Sequence, residues 1–119
     1  MSDMTTTFEH RALELGEKLP LVYAALSKYA FRHCIPISAF VLNQGYAPFS
    51  PFMNFGYFLR DAVDRDAVRL ANNSFVAACS EIWVFGAVSD GVLAEVDMAH
   101  SQGKPVRYFA LGEEPAPGH

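Results

Sequence analysis

The sequence has little cysteine. Among 119 residues there are only Cys34 and Cys79, and they share no CxxC or Cys/His spacing. A disulfide framework or a structural zinc site needs such spacing, so both kinds of scaffold are disfavoured. Because both cysteines fall in segments of helical composition, we expect two buried free thiols and no metal site.

Basic residues are also few. Nine Lys and Arg stand against thirteen Asp and Glu, which gives a formal net charge of −4. A protein that binds duplex nucleic acid needs clustered basic side chains to displace counterions from the phosphates. The sequence therefore excludes duplex nucleic acid as a partner and leaves open a small neutral or anionic ligand.

Long apolar runs are missing as well. No segment approaches the length of a membrane span, and residues 1–18 contain no apolar run of the kind that a signal sequence needs. We therefore expect a cytoplasmic protein without a membrane partner. The length and the 51% hydrophobic content suit one domain with a single core, spanning residues 1–119. Residues 1–7 and 113–119 are expected to be flexible tails.

Short apolar runs alternate with longer helical segments. The patterns predict strands at 19–25, 46–50, 81–85 and 105–111, and helices at 8–18, 27–45, 61–79 and 89–102. Pro36 must kink or restart the second helix. This alternation predicts a three-layer α/β fold, flavodoxin-like or Rossmann-like, with a parallel sheet of four to five strands. In such sheets the ligand binds beyond the carboxyl ends of the strands.

The third predicted strand runs into a glycine-bearing loop and then a helix (FGAVSDGVLAE, residues 85–95). Gly91 permits close approach of a ligand, and Ser89 can cap the helix or bind an anion or a sugar hydroxyl. Glu95 lies one turn into the helix, where its carboxylate can face the crevice. The alternative is that Ser89 and Asp90 are ordinary helix caps and that Glu95 is a solvated acid in the first turn. Spacing alone supports the two interpretations equally.

Four aromatic residues lie within seven positions after the second predicted strand, in the segment 52–58. Phe52 and Phe55 are candidates to stack on a nucleobase, and Asn54 is a candidate to hydrogen-bond its edge. A hydrophobic lid or a subunit interface is the alternative, and composition alone favours it.

Two consecutive asparagines, Asn72 and Asn73, fall in the middle of a predicted helix. Asparagine is a poor helix former, so one of the two is a candidate substrate ligand at the end of the sheet. The alternative is a helix break or an exposed polar face.

Other catalytic motifs are absent. The sequence contains no GxSxG, no Walker phosphate loop and no HExxH, and its four histidines are scattered. The segment 21–28, which joins the first strand to the next helix, has no glycine for a dinucleotide fingerprint. Metal enzymes, serine hydrolases and conventional NAD enzymes are disfavoured, and we expect no cofactor.

Taken together, four features resemble the nucleoside 2-deoxyribosyltransferases and their nucleotide N-glycosidase relatives. They are Tyr23 in the first strand, the loop with Asp90 and Gly91, Glu95 one helical turn on, and the run AHSQGKP at 99–105. The resemblance covers about residues 21–109. It implies that Glu95 attacks the anomeric carbon of a nucleoside, which makes Glu95, Tyr23 and Asp90 the candidate catalytic residues.

The resemblance also implies binding roles. Tyr23 would position the carboxylate, while Ala25 and Ser27 after the first strand, with Ser89 and Gly91, would hold the sugar or a 5′-phosphate. Phe52 and Phe55 would flank the base. The transferases carry an aspartate after the helical asparagine, whereas here Asn72 and Asn73 are followed by serine. Hydrolysis or ligand sensing is therefore favoured over deoxyribosyl transfer in the strict sense.

Three functional hypotheses follow. The first is an enzyme that cleaves or transfers at the N-glycosidic bond of a nucleoside or nucleoside 5′-monophosphate. The second is a non-catalytic nucleotide-binding sensor on the same fold, and the third an oligomeric scaffold that uses the aromatic segment as an interface. The aromatic content of residues 49–58 is large for one small domain to cover, so we expect a homodimer or a higher homo-oligomer.

Overall fold

The computed structural model describes residues 8–51 and 62–111, apart from the side chains of residues 29 and 31. The predicted tails lie outside these ranges. Four strands are present in them: β1 (Leu21–Ala25), β2 (Ala47–Phe49), β3 (Glu81–Phe85) and β4 (Val106–Phe109). The helices are α1 (Arg11–Glu14), a 3-10 helix (Lys28–His33), α2 (Cys34–Asn43), α3 (Arg65–Ala78) and α4 (Asp90–Ser101).

The four strands form one parallel sheet in the order β2-β1-β3-β4. Tyr23 on β1 pairs with Phe49 on β2 and with Ile82 on β3. The two central strands, β1 and β3, are buried at four of their five positions. Their continuous apolar runs suit strands that are covered on both faces. The predicted α/β fold with a parallel sheet is confirmed.

Helices cover both faces of the sheet. Alternate residues of β1 and β3 point to opposite sides, so each face has its own set of packed side chains. On one face, Ala24, Trp83 and Phe85 pack with α2 and the 3-10 helix. On the other face, Tyr23, Ala25, Ile82 and Val84 pack with the buried side chains of α3 and α4. This second face carries the candidate site.

The predicted helix at 8–18 is wrong in extent. Only the single turn Arg11–Glu14 is helical, and none of its residues is buried. The side chain of His10 caps this turn by accepting a hydrogen bond from the backbone N–H of Ala12, at 3.0 Å. Most of the stability of a helix in a protein comes from packing, and the apolar side chains of this segment, Phe8, Leu13 and Leu15, are exposed.

Of the two outcomes predicted at Pro36, a kink or a restart, the structure shows a restart. A 3-10 helix precedes α2, and Pro36 is the third residue of α2, within its first turn. At that position a proline's missing N–H removes no helical hydrogen bond. Helix α2 ends before Gly45, whose positive φ of 87° suits glycine.

Strand β3 has its predicted limits, and the remaining elements differ from prediction by a few residues at their ends. Helix α4 begins after Ser89, whose hydroxyl accepts a hydrogen bond from the N–H of Val92, at 3.4 Å. Both cysteines are buried and free, as predicted. Within the two described ranges, no helix has the length and apolar character needed to cross a membrane.

Candidate functional site

Glu95 lies at the border between the buried and exposed faces of α4. This helix buries Val92, Val96 and Ala99 against the sheet, at the spacing of one helix face. Glu95 precedes Val96 and is half-buried. Its carboxylate therefore points along the edge of the core instead of extending into water.

Three side chains from three elements meet at this carboxylate. The hydroxyl of Tyr23 on β1 contacts Oε2 of Glu95 and lies 2.7 Å from Oδ1 of Asn72 on α3. The amide Nδ2 of Asn72 donates to the same Oε2 atom at 2.9 Å. Each of the three side chains thus contacts the other two.

The packing of α3 explains why one asparagine faces this group. Val76 is the buried residue of α3, and Asn72 lies four positions earlier on the same face. Asn73 is exposed. The side chain of Asn72 bonds to Tyr23 and Glu95, so the structure gives it protein partners where the sequence pattern suggested a substrate.

Burial has the largest effect on the pKa values of Glu95 and Tyr23. It raises the pKa of Glu95 above its ordinary value, and hydrogen bonds from Tyr23 and Asn72 act in the opposite direction. Burial, followed by the nearby charge of Glu95, also raises the pKa of Tyr23. The phenol is therefore a hydrogen-bond donor at every physiological pH, and Glu95 takes up a proton more readily than an exposed glutamate.

An aromatic wall stands beside the carboxylate. The rings of Phe49 on β2 and Phe75 on α3 stack with centroids 4.0 Å apart, and Phe49 lies 5.6 Å from the ring of Tyr23. Sequence reasoning missed Phe75 as a site residue. Its position three residues after Asn72, on the same face of α3, is the signal that would have found it.

Comparison with known proteins places the chain in a family. A family model described as a domain of unknown function, DUF7768, matches residues 23–109, well over half of the chain. The chain belongs to the DUF7768 family. The matched region contains all three residues that meet at the carboxylate.

The fold is shared with a solved structure. The crystal structure of a conserved protein from Enterococcus faecalis V583 superposes with a TM-score of 0.60, at 18% identity, over 86% of this chain and 71% of that one. At this identity the likeness shows the fold alone. No curated protein matches the chain.

The structure does not bring Asp90 to the group at Glu95. Asp90 and Gly91 are exposed in the first turn of α4, and Asp90 makes no hydrogen bond to Glu95 in the described part of the DUF7768 domain. A Cβ at Gly91 would meet nothing closer than Ser89 Oγ, at 4.0 Å, so the fold itself does not require glycine there. Ser89 is occupied as the N-cap of α4.

The other predicted binding residues have different surroundings. Ala25 is fully buried and packs in the core on the α3 and α4 face, so its side chain is not open to a ligand. Ser27 is buried at the end of β1, and its carbonyl accepts a hydrogen bond from the N–H of Ala30. The predicted base-binding residues Phe52, Asn54 and Phe55 lie outside the described residues.

An apolar cleft of about 200 Å³ lies on the opposite face of the sheet. Ile37 and Phe40 of α2 line one side, and Phe85 and Phe109 line the other. It does not include Glu95, and its lining side chains are apolar apart from His33, so we assign the candidate site to the carboxylate face. Across residues 8–51 and 62–111, no three His, Cys, Asp or Glu side chains group as metal ligands.

Proposed function

We propose that this protein cleaves the N-glycosidic bond of a nucleoside or nucleoside 5′-monophosphate, with Glu95 as the nucleophile. The observation that carries the proposal is the half-buried Glu95 carboxylate held by both Tyr23 and Asn72. A carboxylate fixed by a phenol and an amide is oriented for attack, whereas a solvated helix acid is not. The resemblance to the nucleoside 2-deoxyribosyltransferases and N-glycosidases supports the same chemistry.

The position of the group in the sheet supports a ligand site. With the strand order β2-β1-β3-β4, the chain turns from one side of β1 to the other between β2 and β3. Ligands of open α/β sheets bind at such a reversal, beyond the carboxyl ends of the strands. Tyr23 lies on β1, and Glu95 lies on the helix that follows β3, so the two elements at the reversal supply the carboxylate and its partner.

The proposed reaction has two steps. An oxygen of the Glu95 carboxylate forms a bond to the anomeric carbon while the bond from that carbon to the base nitrogen breaks, its electron pair leaving with the base. The base takes a proton from water. A second water then adds to the anomeric carbon as its bond to Glu95 breaks, which frees the sugar and restores the Glu95 carboxylate. The proton that this water loses neutralises the hydroxide left by the first. The carboxylate stabilises the positive charge that develops on the sugar in both steps.

The aromatic wall suits the leaving group. A planar base can stack beside the rings of Phe49 and Phe75, which adjoin Tyr23 and so lie near Glu95. Serine follows Asn72 and Asn73, so this part of α3 lacks the aspartate that follows the asparagine and contacts the base in the transferases. Hydrolysis is therefore the favoured outcome over transfer to a second base.

The test is a panel of ribo- and deoxynucleosides and their 5′-monophosphates, with free base followed by chromatography. We expect base release by the native protein and none by Glu95→Gln. Asp97→Asn is the matched control, because Asp97 is an exposed acid on the same helix, and it should retain activity. If no base appears while a panel member raises the melting temperature, the protein is a nucleotide-binding module and the proposal fails.

A further inference from the structure

The contacts among Tyr23, Asn72 and Glu95 form a closed triangle. One edge joins the phenol oxygen to the amide oxygen at 2.7 Å, a second joins the amide nitrogen to Glu95 Oε2 at 2.9 Å, and the third joins the phenol oxygen to Oε2. Each edge needs one hydrogen between its two atoms. A triangle of three hydrogen bonds therefore needs three hydrogens.

Two of the three hydrogens are present whatever the charge of Glu95. The phenol supplies one and the amide directs one at Oε2, whereas an ionised carboxylate supplies none. The single phenol hydrogen serves either Glu95 or Asn72, but not both. Exchanging the oxygen and nitrogen of the Asn72 amide only moves the contact that lacks a hydrogen to another edge. With Glu95 ionised, one edge places two lone pairs in contact and must open.

We propose that the unliganded protein holds Glu95 as the neutral acid, with its proton closing the triangle, and that Asn72 is the positioning residue that makes this proton necessary. The proposal rests on the proposed function, since it describes how the same nucleophile is held at rest. Glu95 becomes a nucleophile only after it gives its proton to water and the triangle opens.

The surroundings of Glu95 agree with a neutral carboxyl. From β1 it faces Tyr23, from α3 it faces Asn72, and β2 contributes the uncharged ring of Phe49 beside the phenol. No salt bridge between described residues includes Glu95. Cys79, which follows α3 and acts on Tyr23, has its pKa raised by burial to about 11 and is uncharged. Burial raises the pKa of Glu95 and outweighs the hydrogen bonds from Tyr23 and Asn72, which lower it.

The protonation state can be measured without any substrate. Infrared spectra of the native protein minus those of Glu95→Gln, taken at about pH 6, isolate the Glu95 carboxyl while exposed glutamates, with ordinary pKa values of about 4.3, are ionised. We expect the carbonyl band of a protonated acid. A Glu95 that is fully ionised at this pH would overturn the proposal.

A variant tests the role of Asn72. In Asn72→Ala an ionised Glu95 loses the amide donor, which by itself would raise its pKa. The neutral form loses two of the three hydrogen bonds of the triangle, and this is the larger loss. The Glu95 titration, followed by carbon-13 NMR of the carboxyl, should then move to lower pH by roughly half a unit to one unit, the equivalent of about one hydrogen bond.

The opposite shift would show that Asn72 is a simple donor to an ionised carboxylate, which contradicts the triangle. Asn73→Ala is the control, because Asn73 is the exposed neighbour on the same helix, and it should leave the titration unchanged. Both measurements are independent of turnover, so a failure here is distinct from an absence of base release.

Discussion

At the residue scale, Tyr23 is the key to the site. It is fully buried on a central strand, and a buried hydroxyl without a partner is costly. Its two partners are Asn72 and Glu95. The core of the sheet and the candidate nucleophile are therefore coupled through one phenol, and Glu95 is held at the core edge rather than solvated at the start of a helix.

Removing that hydroxyl tests the coupling. In Tyr23→Phe, both Glu95 and Asn72 Oδ1 lose their contact with the phenol. We expect kcat for base release to fall by about 10- to 100-fold, with KM nearly unchanged, which is the rate equivalent of losing a hydrogen bond to a charged group. Steady-state kinetics checks this.

Tyr108→Phe is the control for that experiment, because Tyr108 is 61% exposed on the edge strand β4. It should leave both constants unchanged. A Tyr23→Phe variant that raises KM alone would mean that the phenol binds substrate instead of holding Glu95.

The raised pKa of Glu95 also predicts how stability varies with pH. The folded protein binds the Glu95 proton more tightly than the unfolded chain does. Its contribution to stability is complete below the unfolded pKa of about 4.3 and is lost as the pH rises through the folded pKa. Glu95→Gln removes this loss, so its free energy of unfolding relative to the native protein should increase as the pH rises through that window.

Urea denaturation at a series of pH values measures the difference. Asp97→Asn, the exposed acid on the same helix, should show no such trend. A Glu95→Gln difference that is constant with pH would contradict the tighter binding of a proton in the folded state.

At the element scale, Lys104, in the run at 99–105, caps the end of α3. Lys104 donates from Nζ to the carbonyl of Val76 at 2.7 Å and also to that of Ala77, both in the last turn of α3. These are carbonyls that the end of a helix leaves unpaired, and a cation there also matches the helix dipole. Lys104 thereby fixes the helix that carries Asn72.

Replacing this lysine should loosen α3. We expect Lys104→Met to lower the free energy of unfolding by about 1–2 kcal/mol, because two carbonyls lose a charged donor. Urea denaturation measures the change. Lys18→Met, at an exposed position before β1, should change it by less than about 0.5 kcal/mol. Equal effects of the two variants would show that the cap does not stabilise α3.

The strands and helices also show how far the fold could be predicted from the sequence. The limits of β3 were predicted in full, because EIWVF is apolar enough for both faces of the sheet and is bounded by polar and glycine residues. The segment 8–18 has helical composition, yet it forms a single turn, and its apolar side chains do not pack against the other described residues. Local composition predicts where an element can form, and packing decides whether it does.

The site was predictable only in part for a similar reason. Glu95 was predicted from its place in the strand–loop–helix segment and from the resemblance, Tyr23 from the resemblance, and Asn72 from its poor fit to a helix. That Asn72 reaches both of them depends on how α3 packs across β1, which local spacing does not contain. Phe75 was missed for the same reason, since its stacking on Phe49 joins two distant elements.

At the scale of the whole molecule, the parallel sheet gathers the site from three separate parts of the chain. Tyr23, Asn72 and Glu95 come from β1, α3 and α4, and the DUF7768 match contains all three. The fold is shared with a protein that is only 18% identical. The architecture thus tolerates wide sequence change, so the function is argued from the site and not from the fold.

The oligomeric state stays a prediction. The aromatic segment that suggested a subunit interface lies mostly outside the described residues, while its first ring, Phe49, is half-buried and packs against the core of one chain. Light scattering should give about twice the 13.1 kDa of one chain, or a higher multiple. A mass of one chain at working concentrations would contradict the expected homo-oligomer.

The most direct test of Glu95 as a nucleophile is to trap its glycosyl ester. The protein is incubated with the 2-fluoro-2-deoxy analogue of a nucleoside that it hydrolyses, because the fluorine slows the second step. It is then digested, and the masses of its peptides are measured by mass spectrometry. We expect the peptide that contains Glu95 to gain the mass of one sugar residue, and Glu95→Gln to gain none. Release of base with no sugar on that peptide would contradict Glu95 as the nucleophile.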